Sequence, residues 1–249
     1  MIIIKSNHEI DLMRKAGRVV ENTLLKLEEI IKPGITTSEI DKLAEEFITK
    51  QGALPSFKGY HGFPASICSS VNDEVVHGIP GNRVLQEGDI ISIDCGAVLN
   101  GYHGDAARTI PVGKVSDDAI KLIEITKESF FKGYEKAKSG NKLTDISFAI
   151  QGYIEENGFS VVRDYVGHGI GRNMHEDPSV PNFGRPGRGP KLSAGMVLAI
   201  EPMVNIGTYH VKTLANGWTV VTVDGKYSAH YENTVAILPE GPEILTLTL

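Results

Sequence analysis

Leu85-Gln-Glu-Gly-Asp-Ile-Ile-Ser-Ile-Asp94 recurs further along the chain as Leu192-Ser-Ala-Gly-Met-Val-Leu-Ala-Ile-Glu201. In both copies a glycine turn leads into an apolar, strand-like run that ends in a carboxylate. These two segments lie 107 positions apart. The helical regions that precede them also match, at a separation of 106 positions. The matching residues are Lys32, Gly34, Glu39, Ile40, Phe47, Ile48 and Gly52, which correspond to Lys138, Gly140, Asp145, Ile146, Tyr153, Ile154 and Gly158. This repetition predicts an internal duplication within one domain at 1–249, with halves at about 1–115 and 116–249.

Each half is predicted to open with two amphipathic helices. Ser6-Asn-His-Glu9 has the pattern of a capping box, and apolar residues at helical spacing follow it as far as Lys32-Pro33-Gly34. Thr36-Thr-Ser-Glu39 starts the next helix in the same way. The second half repeats this order, with helices expected over about 116–138 and 144–157. Since strand-like segments fill the rest, we expect an α+β fold of two pseudo-symmetric helix-helix-sheet halves around a central, mainly antiparallel sheet.

Two turn signals mark the C-terminal region. Asn216-Gly217 and Asp224-Gly225 are residue pairs favoured in two-residue hairpin loops, and they predict tight hairpins here. The strands that these turns would join are Val211–Leu214, Trp218–Val223 and Ser228–Leu238. The Pro- and Gly-rich stretch 181–190 predicts an exposed, mobile loop.

The composition is typical of a globular enzyme. A chain of 249 residues that is 41% hydrophobic can build one large core. The net charge of −6 gives no electrostatic reason to expect nucleic acid or an anionic membrane as a partner. Two cysteines without a CxxC pair indicate neither a disulfide scaffold nor a zinc ribbon. With no signal-type or membrane-spanning apolar run, we expect a cytoplasmic protein. Nothing in the composition demands assembly, and we expect a monomer.

Five metal-ligand candidates lie at the ends or edges of strand-like runs. They are Asp94, Asp105, His168, Glu201 and Glu232. Carboxylates within apolar strands are costly to bury unless a cation pairs with them. Four carboxylates and one imidazole suit Mn²⁺, Fe²⁺ or Co²⁺, and Zn²⁺ is also compatible. The set is large enough to hold two divalent ions with a shared water, which predicts a hydrolytic site.

Several motifs together resemble the type I, bacterial-type methionine aminopeptidases of the pita-bread metallopeptidase superfamily. The resemblance covers essentially the whole chain. The motifs that carry it are Ser70-Val-Asn-Asp-Glu-Val-Val-His77-Gly-Ile-Pro80, Gly88-Asp-Ile-Ile-Ser-Ile-Asp94, Tyr102-His-Gly-Asp105, Gly167-His168-Gly-Ile-Gly171, Ala199-Ile-Glu201-Pro-Met-Val and Tyr231-Glu232-Asn-Thr. The resemblance implies a single catalytic peptidase domain that removes the initiator methionine from nascent chains with a small second residue.

The resemblance also implies roles for the ligand candidates. Asp94 would chelate one of two divalent metal ions, while Asp105 and Glu232 would bridge both. His168 and Glu201 would complete the second ion, and Glu201 would also shuttle a proton during catalysis.

Other residues would bind the substrate. The resemblance assigns His175 to the scissile carbonyl and the developing oxyanion, and His77 to the scissile amide or the next residue. The remaining pocket candidates are Tyr60, His61, Phe63, Cys68, Met174 and Trp218. Met174 stands where relatives often carry an aromatic residue, and we expect methionine preference to survive with altered affinity for analogues. The other histidines are interpreted as structural or surface residues, namely His8, His103, His210 and His230.

Two alternatives stay open at this point. Proline-directed aminopeptidases share the ligand scaffold, but they carry a large additional N-terminal domain. The superfamily also includes members that lost their ligands and bind proteins or RNA; the acidic net charge speaks against an RNA binder. The expected partners are nascent polypeptide N-termini, with a weak contact to the ribosome.

Overall fold

The computed structural model describes residues 1–247 and has the mixed α+β architecture expected from the sequence. Its helices are α1 (Asn7–Ile30), α2 (Thr37–Lys50), α3 (Asp117–Tyr134) and α4 (Leu143–Glu156), with a short 3-10 turn at Tyr60–Gly62. Its strands are β1 (Leu54–Pro55), β2 (Cys68–Val71), β3 (Glu74–Val76), β4 (Ile90–Leu99), β5 (Tyr102–Pro111), β6 (Ser160–Val161), β7 (Gly167–Gly169), β8 (Glu176–Val180), β9 (Val197–Ile200), β10 (Met203–Asn205), β11 (Val211–Thr213), β12 (Val220–Thr222), β13 (Ser228–His230), β14 (Asn233–Leu238) and β15 (Gly241–Ile244).

The first two helices begin where the sequence predicted. The Ser6 side chain accepts a hydrogen bond from the Glu9 backbone N–H, and the Glu9 carboxylate accepts from the Ser6 backbone N–H. Thr36 and Glu39 make the same reciprocal pair at the start of α2. Each pair satisfies N–H groups that a helix start leaves without partners. Both capping boxes are therefore confirmed.

The strands repeat in the same antiparallel order in the two halves. In the first half β4 pairs with both β2 and β5, and in the second half β9 pairs with both β7 and β14. The two arrangements meet where Ala107 and Glu232 exchange backbone hydrogen bonds of 3.0 and 3.3 Å. The middle of β4, where Asp94 pairs with Ala107, and the end of β9, where Ile200 pairs with Asn233, therefore both lie near this junction.

The described strands form four sheets, and each pair of helices packs mainly against strands of its own half. Helix α1 packs against β4 and β5, and its buried face shares an apolar core with α2. Helices α3 and α4 pack together over the second half, around residues such as Phe130 and Ile150. Burial of these apolar faces fixes the sheets, so the edge where the halves meet is held rigidly.

One of the two predicted hairpins is wrong. Strands β11 and β12 do form a hairpin around Asn216-Gly217. After Asp224-Gly225, however, the chain leaves this sheet: β12 pairs with β3, whereas β13 pairs with β10. The predicted strand Ser228–Leu238 is also divided into β13 and β14, because Tyr231 and Glu232 turn toward the junction of the halves. The turn residues fit their turn, but partners distant in sequence decide the pairing.

The 181–190 segment is held against α4. Asp145 accepts a hydrogen bond from the Gly187 N–H, and Thr144 accepts one from the Arg188 N–H. Residues 185–189 are exposed, as expected, but Asn182 is fully buried, so the predicted exposure is wrong for the first part of the segment. The mobility of the segment stays a prediction. Among residues 1–247, no helix is both long and apolar enough to cross a membrane.

Candidate metal centre

The ligand candidates come from five different segments that converge at the junction of the halves. Asp94 lies within β4 and Asp105 within β5, while His168 lies within β7. Glu201 directly follows β9, and Glu232 lies between β13 and β14. All five line one cavity of about 240 Å³.

Short distances connect the imidazole to the carboxylates. His168 Nε2 is 3.8 Å from Asp105 Oδ2 and 3.7 Å from Glu201 Oε1. The other ring nitrogen of His168, Nδ1, lies 2.9 Å from the backbone oxygen of Gly169. A hydrogen bond donated from Nδ1 leaves the Nε2 lone pair free to face the carboxylates, which is the arrangement that metal-binding histidines use.

Burial and mutual repulsion disfavour the charged forms of the acids. Burial raises the pKa of Asp94 to about 7. Burial, followed by the charges of neighbouring acids, raises the pKa of Asp105, Glu201 and Glu232 well above the ordinary range. Burial lowers the pKa of His168 to about 3, so the ring is neutral near pH 7. Four clustered acids with a neutral imidazole form a centre that a cation would stabilise strongly.

Several carboxylate oxygens of this centre lack protein partners. Asp94 Oδ1, Asp105 Oδ1 and Glu232 Oε1 are buried without a hydrogen bond from any of residues 1–247. Such orphaned oxygens are unusual in folded proteins. Their oxygen-rich chemistry, with an imidazole added, fits divalent first-row metals. The residues present therefore fit bound metal ions.

Arg108 holds the segment that carries Glu232 from behind. Its guanidinium donates hydrogen bonds to the Glu232 backbone oxygen and to the Asn233 side-chain oxygen. The same guanidinium stacks 4.3 Å from the centroid of the Tyr231 ring. Glu232 is consequently fixed by a buried cation that binds its backbone rather than its carboxylate, which stays directed at the centre.

His175 stands beside the ligand candidates at the wall of the cavity. Its ring centroid is 4.1 Å from that of His168, and its Nδ1 lies 2.9 Å from the Tyr60 hydroxyl. The Tyr60 ring stacks on His175 and touches His61 at its edge. The next residue, Glu176, forms a 2.6 Å buried ion pair with Lys5, which anchors this loop. The His175 side chain is thereby oriented without contributing to the carboxylate cluster.

An apolar slot adjoins the cluster. Trp218 meets Phe63 edge to face at 5.1 Å between ring centroids, and both line the cavity with Met174 and Cys68. Burial and the nearby carboxylates raise the pKa of Cys68 well above its usual value, so it is a neutral thiol. The slot is thus apolar on one side and bounded by oxygen donors on the other.

His77 closes this slot near Trp218, with 6.4 Å between the ring centroids. It adopts a φ of 58°, which is uncommon for residues other than glycine. The next residue must be glycine, since a Cβ on Gly78 would lie 2.2 Å from the Ser69 carbonyl oxygen. Burial lowers the pKa of His77 to about 4.

The structure brings every predicted site residue into this one cavity. Two residues that the sequence analysis did not select also belong to the site, one in the cavity wall and one behind it, beside the carboxylates. Phe57 lines the slot. His230, interpreted above as structural or surface, has a ring that is only 2% exposed and faces the carboxylates of Glu201 and Glu232. Its position two residues before Glu232 was a usable signal, because alternate residues of an extended chain share a face.

The two halves of the fold place a buried carboxylate–imidazole centre beside an apolar slot. This arrangement is that of a metal-dependent hydrolase. The sequence pattern of Metallopeptidase family M24 matches residues 11–239, and the chain belongs to that family. It is 71% identical over 247 residues to a methionine aminopeptidase of Clostridium perfringens, covering 99% of both chains. It is 62% identical over 246 residues to methionine aminopeptidase 1 of Bacillus subtilis, again with 99% of both covered.

Solved structures give the same result. The crystal structure of methionine aminopeptidase from Thermotoga maritima matches with a TM-score of 0.98 and 47% identity over all of both chains. Prolidase from Pyrococcus furiosus matches with a TM-score of 0.78 and 26% identity, and this chain covers 66% of its length. The fold is the pita-bread fold expected from the sequence, and the methionine aminopeptidase interpretation is favoured over the proline-directed one.

Proposed function

We propose that this protein removes the N-terminal methionine from nascent proteins and peptides with a small second residue, by metal-dependent hydrolysis of the first peptide bond. The observation that carries the proposal is the junction of the carboxylate–imidazole cluster with the apolar slot around Trp218. An unbranched thioether side chain packs well against aromatic edges. A methionine seated there would have its scissile bond beside the cluster.

The proposed cofactors are two divalent metal ions, Co²⁺, Mn²⁺ or Fe²⁺, with Zn²⁺ also compatible. The ligands would be Asp94, Asp105, His168, Glu201 and Glu232, and Asp105 and Glu232 would bridge the two positions. When bound, such ions polarise a carbonyl and lower the pKa of water near them.

The chain's own residues would then orient the substrate and move protons. Glu201 would accept a proton from the attacking water and return it to the leaving amine. His175 would donate a hydrogen bond to the oxygen of the scissile carbonyl, where negative charge develops. His77 would contact the scissile amide or the following residue, and Tyr60 and His61 would line the rim on the His175 side.

The proposed setting is the cytoplasm, where nascent N-termini would be the substrates. The whole chain would act as one catalytic unit and as a monomer, with a weak contact to the ribosome. The pairing of matched strands across the junction supports treating both halves as one unit.

The direct test is hydrolysis of Met-Gly-Met-Met, Ala-Gly-Met-Met and Ala-Pro-Met-Met by metal-stripped protein. Mn²⁺, Fe²⁺, Co²⁺ or Zn²⁺ is then added back separately. The expected result is metal-dependent release of methionine from the first peptide alone. Cleavage before proline in the third peptide would instead support the proline-directed alternative. Binding of metal without hydrolysis of any peptide would support a binding protein.

A matched control excludes contaminating peptidases. Asp105→Asn should abolish the activity in a preparation purified in parallel. The exposed acid at the start of α3 offers the companion substitution, Asp118→Asn, which should leave the activity unchanged.

A further inference from the structure

His230 has a buried ring nitrogen that no part of the described chain satisfies. The ring is 2% exposed, and Nε2 makes no hydrogen bond within residues 1–247. A buried polar group without a hydrogen-bond partner destabilises a folded protein. Structural histidines avoid this cost; the ring of His103, for example, pairs with the Ser56 hydroxyl at 2.8 Å. The environment of His230 therefore points to a partner of another kind.

The surroundings of His230 match those of His168. His230 Nε2 lies 3.9 Å from Glu201 Oε2 and 3.8 Å from Glu232 Oε2. His168 Nε2 lies at similar distances from two carboxylates, 3.7 Å from Glu201 Oε1 and 3.8 Å from Asp105 Oδ2. These separations exceed those of hydrogen bonds. They do suit a shared ion, because two donor atoms about 2.1 Å from one metal are roughly 3 to 4 Å apart.

Two groups of ligand atoms result. Asp94, His230 and Glu232 offer atoms that all lie within 4.8 Å of one another, and so do Asp105, His168 and Glu232. Glu232 belongs to both groups, as a bridging carboxylate must. Each group contains one imidazole.

We propose that His230 is a further metal ligand through Nε2, so that each of two cation positions includes one imidazole nitrogen. The inference rests on the proposed dinuclear centre and adds a ligand to it. A second nitrogen donor makes the donor set less suited to Mg²⁺ or Ca²⁺ and more suited to Zn²⁺, Co²⁺ or Fe²⁺.

The backbone around His230 is fixed in a way that suits a ligand. The Thr109 hydroxyl donates to the His230 carbonyl and accepts from the His230 N–H, both at 2.9 Å. The Ser92 hydroxyl lies 2.8 Å from that of Thr109 and completes this buried set. Pairing with Met203 holds the other edge of β13. The backbone that carries the ring is thus held by contacts that leave Nε2 free.

The test counts metal-bound imidazoles in the wild-type chain. Protein labelled with ¹⁵N-histidine is metal-stripped and titrated with Zn²⁺, and long-range ¹H–¹⁵N NMR spectra are recorded at two bound Zn²⁺ per chain. The expected result is a shift to the metal-bound range for two Nε2 resonances, assigned with His168→Gln and His230→Phe. A shift of the His168 resonance alone would overturn the proposal.

Affinity provides a second readout. His230→Phe keeps a ring of similar shape without nitrogen, and it should weaken binding of one Zn²⁺ by at least about tenfold in a chelator competition. The exposed His210→Phe is the matched control and should bind as the wild type does. Unchanged Zn²⁺ affinity in folded His230→Phe would refute the ligand role.

The outcomes separate this inference from the proposed function. If the wild-type chain binds two ions and releases methionine but shows only one shifted imidazole, the ligand role of His230 is refuted and the proposed function stands. If the wild-type chain never binds two ions, or releases no methionine with any ion, the proposed function itself is refuted.

Discussion

Gly17 of helix α1 lies directly against Gly104 of strand β5, backbone against backbone. A Cβ added to Gly104 would stand 2.8 Å from the Gly17 nitrogen and 3.0 Å from its Cα. Gly104 immediately precedes Asp105, so this contact sets the distance between α1 and the strand that carries a ligand candidate. Replacement of Gly104 by alanine should lower the free energy of unfolding by about 1–3 kcal/mol, because backbone atoms cannot move aside easily. Urea unfolding measures the change.

A second glycine provides the matched control for that substitution. Gly152 lies in helix α4 with no atom within 4 Å of its added Cβ. Gly152→Ala should raise the free energy of unfolding by up to about 1 kcal/mol, because alanine favours a helix. Equal effects of the two substitutions would contradict the close contact at Gly104.

Asp105→Asn should remove most of the metal bound by the protein. The substitution leaves one oxygen donor but deletes the charge that would offset two dications, so we expect bound metal to fall below one ion per chain. Turnover of Met-Gly-Met-Met should fall by at least about 100-fold. Metal analysis after gel filtration and the peptide assay measure both effects. Near-normal turnover at normal metal content would refute the bridging role.

His175→Ala should separate chemistry from metal binding. Because His175 faces the cavity but is proposed to contact substrate rather than metal, kcat should fall by about 100-fold while two ions stay bound. Steady-state kinetics and metal analysis on the same sample test this, with His210→Ala as the control. Loss of metal in the folded variant would make His175 a ligand instead.

Trp218→Ala should widen the apolar slot. The indole packs on Phe63 and stands near His77, and its loss should reduce the preference for methionine over leucine by about tenfold in kcat/KM. Paired peptides that differ only in the first residue provide the measurement. Phe148→Ala, which removes an exposed aromatic ring from α4, should not change the preference. Unaltered selectivity in Trp218→Ala would exclude this residue from the pocket.

His77 should make the protein less stable as the solution becomes acidic. Burial lowers its pKa from 6.5 to about 4, so between these values the unfolded chain binds a proton that the folded chain does not. Stability is then lost as pH falls from 6.5 toward 4, by about 3 kcal/mol at the limit. Comparison of wild type with His77→Gln in urea between pH 7.5 and 4.5 isolates this contribution. The variant should lose less stability over that interval, and parallel curves would show that His77 titrates normally.

The sequence alone was sufficient to predict the helices and most residues of the centre, and the reasons can be identified. Capping residues act within one turn, so Ser6 and Thr36 could be assigned from their neighbours alone. Carboxylates such as Asp94 are conspicuous because they interrupt an apolar run. Strand partners depend on contacts distant in sequence, and the Asp224-Gly225 turn gave no sign that β13 would join β10. The direction of the His230 ring depended on that pairing, and the one local signal for it was the position of His230 two residues before Glu232.

The division of the candidate ligands between the halves has a consequence during synthesis. Asp94 and Asp105 lie in the first half, whereas His168, Glu201 and Glu232 lie in the second. As the chain leaves the ribosome, its first half alone lacks three of these five residues and cannot assemble the centre. We therefore expect no catalytic activity until the segment that carries Glu232 has been synthesised and has packed against β5. A bound ion would then connect early and late parts of the chain much as a cross-link does, because its ligands come from both parts.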